Sequence, residues 1–146
     1  MELTLKTDRL LLHQITEEDL DFLIKLETRP ENKKYEMEGI PQKDSIIKRC
    51  KWFIESTRGL PEEGAIRYIV CNEKNEMIGD VSLTCNWEKT KEWEIGYAFL
   101  SEYWGNGYAT EAVRSVINFA LLLSITWYLY KGVLRHVFEV MCITSL

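Results

Sequence analysis

Apolar positions recur with two different periods along this 146-residue chain, and the switches between them mark its elements. "RLLLHQI" (residues 9–15) reads as a first strand. "TEEDLDFLIKLE" (16–27) then reads as a helix, with Thr16 and Asp19 forming a capping-box-like start and an acidic first turn that suits the helix dipole. Leu20, Leu23 and Ile24 supply its apolar stripe. The polar stretch "RPENKKYEMEGIP" predicts a loop or short irregular helix. "KDSIIKRCKWFIESTRG" predicts a second helix, with Ile46, Ile47, Cys50, Phe53 and Ile54 on one face and Gly59 placed to end it. His13 and Trp52 read as a strand-facing histidine and an indole at the core edge.

The period then changes to two. "AIRYIVC" (65–71) and "MIGDVSLTC" (77–85) are β-branched and partly alternating, and "NEKNE" between them is a polar hairpin turn. After "NWEKTK", the segment "EWEIGYAFL" puts Trp93, Ile95, Tyr97 and Phe99 on one face and Glu94, Gly96, Ala98 and Leu100 on the other. Three antiparallel strands in sequence order are expected. A helix follows in "ATEAVRSVINFA" (109–120), with Val113, Val116, Ile117 and Ala120 as its stripe. No repeat or low-complexity linker divides the chain, so a single α+β domain over residues 1–146 is predicted, a mostly antiparallel mixed sheet flanked by helices.

The junction of last strand and last helix, "EYWGNGYATEA" (102–112), carries two glycines one residue apart. Glycine costs backbone entropy in regular structure, and here it lets a ligand approach bare backbone. The first turn of the helix adds N–H groups with no intrahelical acceptor, so strand, loop and helix together make an anion site suited to phosphate. The Walker pattern fails for want of a lysine followed by Ser/Thr. The dinucleotide fingerprint fails at Thr110, and no acid stands near Trp127. A plain glycine turn capping a helix is the bland alternative.

Composition narrows the rest. With 46% hydrophobic and 28% charged residues the chain is an ordinary globular one. A net charge of −5 argues against a nucleic-acid footprint and suits cationic small molecules. Cys50, Cys71, Cys85 and Cys142 form no CxxC pair, which predicts free thiols and no metal site. The opening "MELTLKTDRL" is unlike a signal peptide, so a cytoplasmic protein is expected. The apolar run 116–130 is shorter than a bilayer span and predicts a buried helix followed by strand material, not a membrane segment.

The glycine stretch resembles the acyl-CoA loop of the GNAT N-acetyltransferase superfamily, Gln/Arg-x-x-Gly-x-Gly/Ala. Trp104 stands at the Gln/Arg position, Gly107 at the glycine and Ala109 at the last small position. "TDRLLLHQITEEDLDFL", "MIGDVSL" and "EIGYAFLSEYWGNGYATEAV" extend the resemblance, over about residues 7–120, to the branch containing ribosomal-protein alanine N-acetyltransferases. The resemblance implies acetyl-CoA as co-substrate and a primary amine as acceptor, either a protein N-terminus or a small molecule. It implies that the backbone of Tyr97, Ala98, Phe99 and Leu100 meets the pantetheine arm. The N–H groups of Gly105, Asn106, Gly107, Tyr108, Ala109 and Thr110 would hold the pyrophosphate. Glu94 is the candidate general base, with Glu92 on the same face competing for the role.

Residues 121–146 depart from the family's ending: one acid, Glu139, and no Asn-x-x-Ser unit. They read as an atypical tail that leaves the C-terminal part of the fold incomplete. Tyr128 and Tyr130 are candidates to protonate the leaving thiolate. Trp127, Tyr128 and Leu129 are expected to be buried, against the last helix and sheet or across a homodimer. The alternative function is a GNAT-like acyl-CoA-binding or interaction module that lacks its acceptor half.

Overall fold

The computed structural model describes residues 3–33, 39–57, 63–86 and 92–130. Strands β1 (Leu5–Lys6), β2 (Leu11–Gln14), β3 (Glu63–Cys71), β4 (Met77–Asn86) and β5 (Glu92–Phe99) lie in sequence order in one sheet. Every described pairing is antiparallel. Helices α1 (Leu20–Glu27), α2 (Pro30–Lys33) and α3 (Lys43–Ser56) come between β2 and β3, and α4 (Tyr108–Tyr130) follows β5. This is the α+β architecture anticipated.

Local chemistry sets the boundaries. The Thr16 amide and hydroxyl donate to Asp19 Oδ2 at 2.8 and 3.0 Å, so the capping box forms, and a 3-10 turn (Glu17–Asp19) leads into α1. His13 lies 3.1 Å from Asp19 Oδ1, a structural partner for a strand histidine. At the β3–β4 turn, Asn72 Oδ1 accepts from the amides of Lys74 and Glu76, and Asn75 takes φ 60°, which asparagine tolerates. Strand β1 was not anticipated. It is a two-residue edge, held beside β2 by a turn in which Thr7 N–H donates to the Leu10 carbonyl at 2.9 Å.

Both faces of the sheet are covered. Ala65, Ile69 and Cys71 of β3 pack with Leu23, Leu26, Ile46, Cys50 and Phe53 under α1 and α3. Ile66, Tyr68 and Val70 pack on the opposite side with Ala112, Val113, Val116 and Ala120 of α4. That is why residues 65–71 are buried without a break, although successive side chains point to opposite faces. Of the expected β5 faces, Trp93, Ile95 and Phe99 join the α4 side and Ala98 and Leu100 the α1–α3 side, but Tyr97, expected with the first set, is 50% exposed and joins neither cluster. Cys50 and Cys71 are buried thiols. Cys142 lies outside the described residues.

Helix α4 corrects one expectation. Residues 125–130, read from sequence as strand or interface material, are helical. No glycine or proline interrupts residues 108–130, and each added residue gains a backbone hydrogen bond at a propensity cost of only about 0.5 kcal/mol. The Thr126 hydroxyl donates to the Leu122 carbonyl at 2.8 Å, so even its polar group is served within the helix. The burial expected of Trp127, Tyr128 and Leu129, and the acid role of Tyr128 and Tyr130, fall on side chains outside the described residues. Residues 108–126 are long and apolar enough, at a mean hydropathy of 1.2, to cross a bilayer by length and composition. Ala112, Val113 and Val116 are seated on the sheet, as the stripe of a sheet-covering helix is, but Leu122 is 65% exposed and residues 121–126 include no buried one, so the helix expected to be buried is so only as far as Ala120.

Gly79 fixes the strand pair beside the site. A Cβ there would stand 2.5 Å from both the Ala98 carbonyl oxygen and the Phe99 ring. Gly79→Ala is expected to destabilise the fold by about 1–3 kcal/mol, because neither backbone nor packed ring yields cheaply. Urea unfolding checks this: an unchanged midpoint would show that the Phe99 ring moves aside freely.

Candidate active site

The glycine loop is built for exposed backbone. A 3-10 turn (Ser101–Tyr103) leaves β5, and Gly105 and Gly107 then adopt φ 77° and 78°, a left-handed conformation that favours glycine. Asn106 Nδ2 donates to the carbonyls of Tyr103 and Trp104 at 3.1 and 3.2 Å and closes the loop. Glu111 N–H makes the first helical bond, to Gly107 O at 3.0 Å. The amides of Tyr108, Ala109 and Thr110 therefore belong to the first turn, where no intrahelical acceptor exists. The Trp104 indole donates to the Phe99 carbonyl at 2.8 Å, and Leu100 N–H donates to Ile78 O at 2.9 Å. Of the four residues expected along a pantetheine arm, Phe99 has thus committed its carbonyl and Leu100 its amide. Strand β5 is the sheet edge, with no strand beside its outer side among the described residues.

The loop is held from a distant part of the chain, which the sequence reading missed. Arg9 Nε and Nη2 both lie 2.7 Å from Glu111 Oε2, and Arg9 Nη1 donates to the Asn106 carbonyl at 2.9 Å. The Arg9 amide and Thr7 hydroxyl donate to Glu111 Oε1 at 3.1 and 2.6 Å. The guanidinium also lies 4.7 Å from the centre of the Tyr108 ring. A Cβ on Gly107 would meet Arg9 Nη2 at 3.4 Å, an ordinary contact, so it is the φ of 78° that calls for glycine here. Burial pushes the Glu111 carboxyl up, but hydrogen bonds from Thr7 and Arg9 and the Arg9 charge outweigh it and hold it below the ordinary carboxylate range. Arg9 also neutralises an acid that would otherwise compete for the positive end of α4. The available signal was "TDRL" with Glu111, a pairing no local pattern reveals.

On the α1–α3 side, Glu94 is exposed and lines a groove of about 420 Å³ with Ser82, Thr84 and Gly96. Glu92, the competing carboxylate, stands at the start of β5 opposite Asn86 and is not part of that lining. The floor of the groove is a buried ion network. Arg67 donates through Nε to Asp80 Oδ2 at 2.7 Å and through Nη2 to Glu27 Oε1 at 2.8 Å, and Arg49 pairs with Glu27 Oε2. Arg67 and Asp80 were also missed. Their signal was a charge inside each of two apolar strands, "AIRYIVC" and "MIGDVSL", which burial tolerates only with partners.

Comparison with known proteins gives the family. Residues 9–138 match the family described as the acetyltransferase (GNAT) domain. The chain belongs to the GNAT acetyltransferase family. It is 32% identical over 120 residues to YoaA of Bacillus subtilis (strain 168), an uncharacterised N-acetyltransferase, covering 79% of this chain and 64% of YoaA. It is 34% identical over 118 residues to p20 of Bacillus licheniformis, also an uncharacterised N-acetyltransferase, covering 80% and 65%. The chain thus spans just under two thirds of the length of these relatives. Among solved structures, the ribosomal α-N-protein acetyltransferase RimL in complex with coenzyme A superposes with a TM-score of 0.65 at 19% identity, over 82% of this chain and 68% of RimL. That likeness is one of fold.

Because the Glu111 carboxyl is held down in the folded state, its stabilisation is fully present above the ordinary carboxylate range and fades as pH falls through the depressed value. Glu111→Gln is expected to cost on the order of 1–2 kcal/mol at neutral pH. The gap between parent and variant unfolding temperatures should close on acidification. A gap that stays constant with pH would show that the carboxylate charge contributes nothing.

Proposed function

We propose that the protein is an acetyl-CoA-dependent N-acetyltransferase acting on a primary amine. The observation that carries this is the loop. Two left-handed glycines lead directly into a helix whose first-turn amides lack acceptors, beside a sheet-edge strand that presents a carboxylate to a groove on the other side. These main-chain donors fit a pyrophosphate. The fit departs from the family pattern at Trp104, whose indole is used to tie the loop to β5 rather than to meet a ligand.

Acetyl-CoA supplies the activated acetyl thioester. The chain's own contribution begins with positioning. Gly105 to Thr110 hold the phosphates, and β5 aligns the arm along its edge, so two reactants meet in fixed geometry. Glu94 takes the proton that an incoming ammonium must lose before its nitrogen can attack, directly or through one water. Its exposure at the rim of the groove leaves it open to solvent, so the proton can leave afterwards.

Two variants test the reading separately. Gly107→Val brings a β-branched side chain to a left-handed position and against Arg9, and is expected to weaken CoA binding at least tenfold in calorimetric titration. Equal affinity would remove the loop from the site. Glu94→Gln is expected to lower turnover by about 10²-fold or more and to flatten the acidic limb of the pH profile, while CoA affinity stays unchanged. A variant with the parental rate and profile would assign the proton to another group. CoA binding with no turnover on any amine would instead favour a binding module.

A further inference from the structure

The glycine loop carries an acid at each end: Glu102 in the 3-10 turn before it and Glu111 in the first turn of α4. A carboxylate repels a phosphate bound nearby, so both acids have the wrong sign for an anion loop. Each is answered by an arginine from elsewhere in the chain. Arg9 answers Glu111 and thereby joins the β1–β2 turn to α4. Arg29 answers Glu102 with both terminal nitrogens, Nη1 on Oε2 and Nη2 on Oε1, each at 3.2 Å. This second pair faces solvent, its side chains 28% and 48% exposed, and such pairs add little to stability. Its two parallel bonds fix a direction instead.

Both backbones that carry the pair are held. On one side, Arg29 N–H donates to the Leu26 carbonyl at 3.4 Å, and the Arg29 carbonyl accepts from Asn32 N–H at 3.2 Å. Asn32 Nδ2 closes the same turn on the Leu26 carbonyl at 2.9 Å. Glu27 and Asn32, on either side of Arg29, line the groove that Glu94 faces, so Arg29 belongs to the wall of that groove. On the other side, Tyr103 N–H donates to Leu100 O at 3.0 Å and Trp104 N–H to Ser101 O at 3.1 Å. The Tyr103 hydroxyl reaches Glu76 Oε2 at 3.3 Å. The Glu102 backbone N–H, then the Arg29 charge and hydrogen bonds from Arg29 and Ser101, hold the Glu102 carboxyl below the ordinary carboxylate range against the upward push of burial. The pair is therefore charged on both sides at neutral pH.

We propose that Arg29 and Glu102 are positioning residues for CoA: the pair sets the stem of the glycine loop against the groove wall and keeps the amides of Gly105 to Thr110 aimed at one pyrophosphate position. The inference rests on the transferase reading above. Neither side chain touches the ligand; both act through the loop, which binds more tightly because less of its freedom is lost on binding. A consequence separates this role from simple electrostatics. Removing the Glu102 charge takes a repulsive group away from the phosphates, yet it weakens their binding, because the tie to Arg29 goes with it.

The test uses the full chain, CoA as the probe and calorimetric titration well below the unfolding midpoint. The double variant Arg29→Gln with Glu102→Gln leaves the net charge as it was and removes only the tie. It is expected to bind CoA about fivefold more weakly than the parent, and Glu102→Gln alone is expected to weaken binding in the same direction. Nitrogen-15 relaxation gives a second reading that a purely stabilising pair would not move: the Gly105 and Gly107 amides of the unliganded double variant should show lower order on the ps–ns scale, at an unchanged unfolding midpoint. Parental CoA affinity in the double variant overturns the proposal. So does tighter binding in Glu102→Gln, the sign that charge alone requires, or unchanged order at the two glycines. A parent that binds no CoA overturns the transferase reading instead, and the glycine relaxation then decides the pair by itself, so the two failures are distinguishable.

Discussion

A buried guanidinium organises this molecule. Arg67 sits in the middle of β3 with its side chain 6% exposed, and a charge so placed is tolerated only if paired and hydrogen-bonded. Its partners come from different elements: Asp80 from β4 and Glu27 from the last turn of α1, with Arg49 of α3 closing on Glu27. One charge thus ties α1, and through Glu27 also α3, to the sheet. Removing a single partner from such a pair typically costs about 3–5 kcal/mol, since the survivor stays buried and uncompensated. The same network is the floor of the groove on which Glu94 looks, so the constraint that holds the layers together also fixes the shape and charge of the candidate acceptor side.

Strand β5 joins this network to the loop at the other end of the site. Its alternation sends Trp93, Ile95 and Phe99 into the core under α4 and leaves Glu94, Gly96 and Ala98 facing the groove. Phe99 then does two jobs at the strand end. Its ring fills the space that Gly79 leaves empty, and its carbonyl receives the Trp104 indole. The glycine loop is therefore anchored to the strand through Trp104, to the link between α1 and α2 through the pair of Arg29 with the adjoining Glu102 at 3.2 Å, and to the β1–β2 turn through Arg9. Loops that place backbone donors for a ligand work by being held still, and three separate elements hold this one.

Much of the fold was legible because its signals are local. The capping box at Thr16, the turn at Asn72, the stripe of α3 and the two faces of β5 each follow from residues a few positions apart. The glycine loop was legible for the same reason: two glycines between a strand and an amphipathic helix mark a tight turn that leaves first-turn amides without intrahelical acceptors. Where local reasoning failed, the deciding force was continuity or distance. Residues 125–130 carry strand-like side chains, yet the helix already running through them continues, because each further residue only extends an existing ladder.

The sequence by itself determined most of the periodic elements, the apolar stripe of each helix, the loop and the strand face bearing Glu94. All of these depend on backbone geometry and on side chains within one or two turns or strand pairs. Only the tertiary structure decided which carboxylate meets the groove, Glu94 rather than Glu92, and that Arg9 closes on Glu111 and Asn106 some hundred positions away. It alone brought Glu27, Arg67 and Asp80 into one buried cluster, with the exposed Arg49 closing on Glu27. The physical reason is that a charge in an apolar strand declares that it needs a partner without saying which one. Helix docking and strand register choose the partner, and both are settled by packing across the whole sheet.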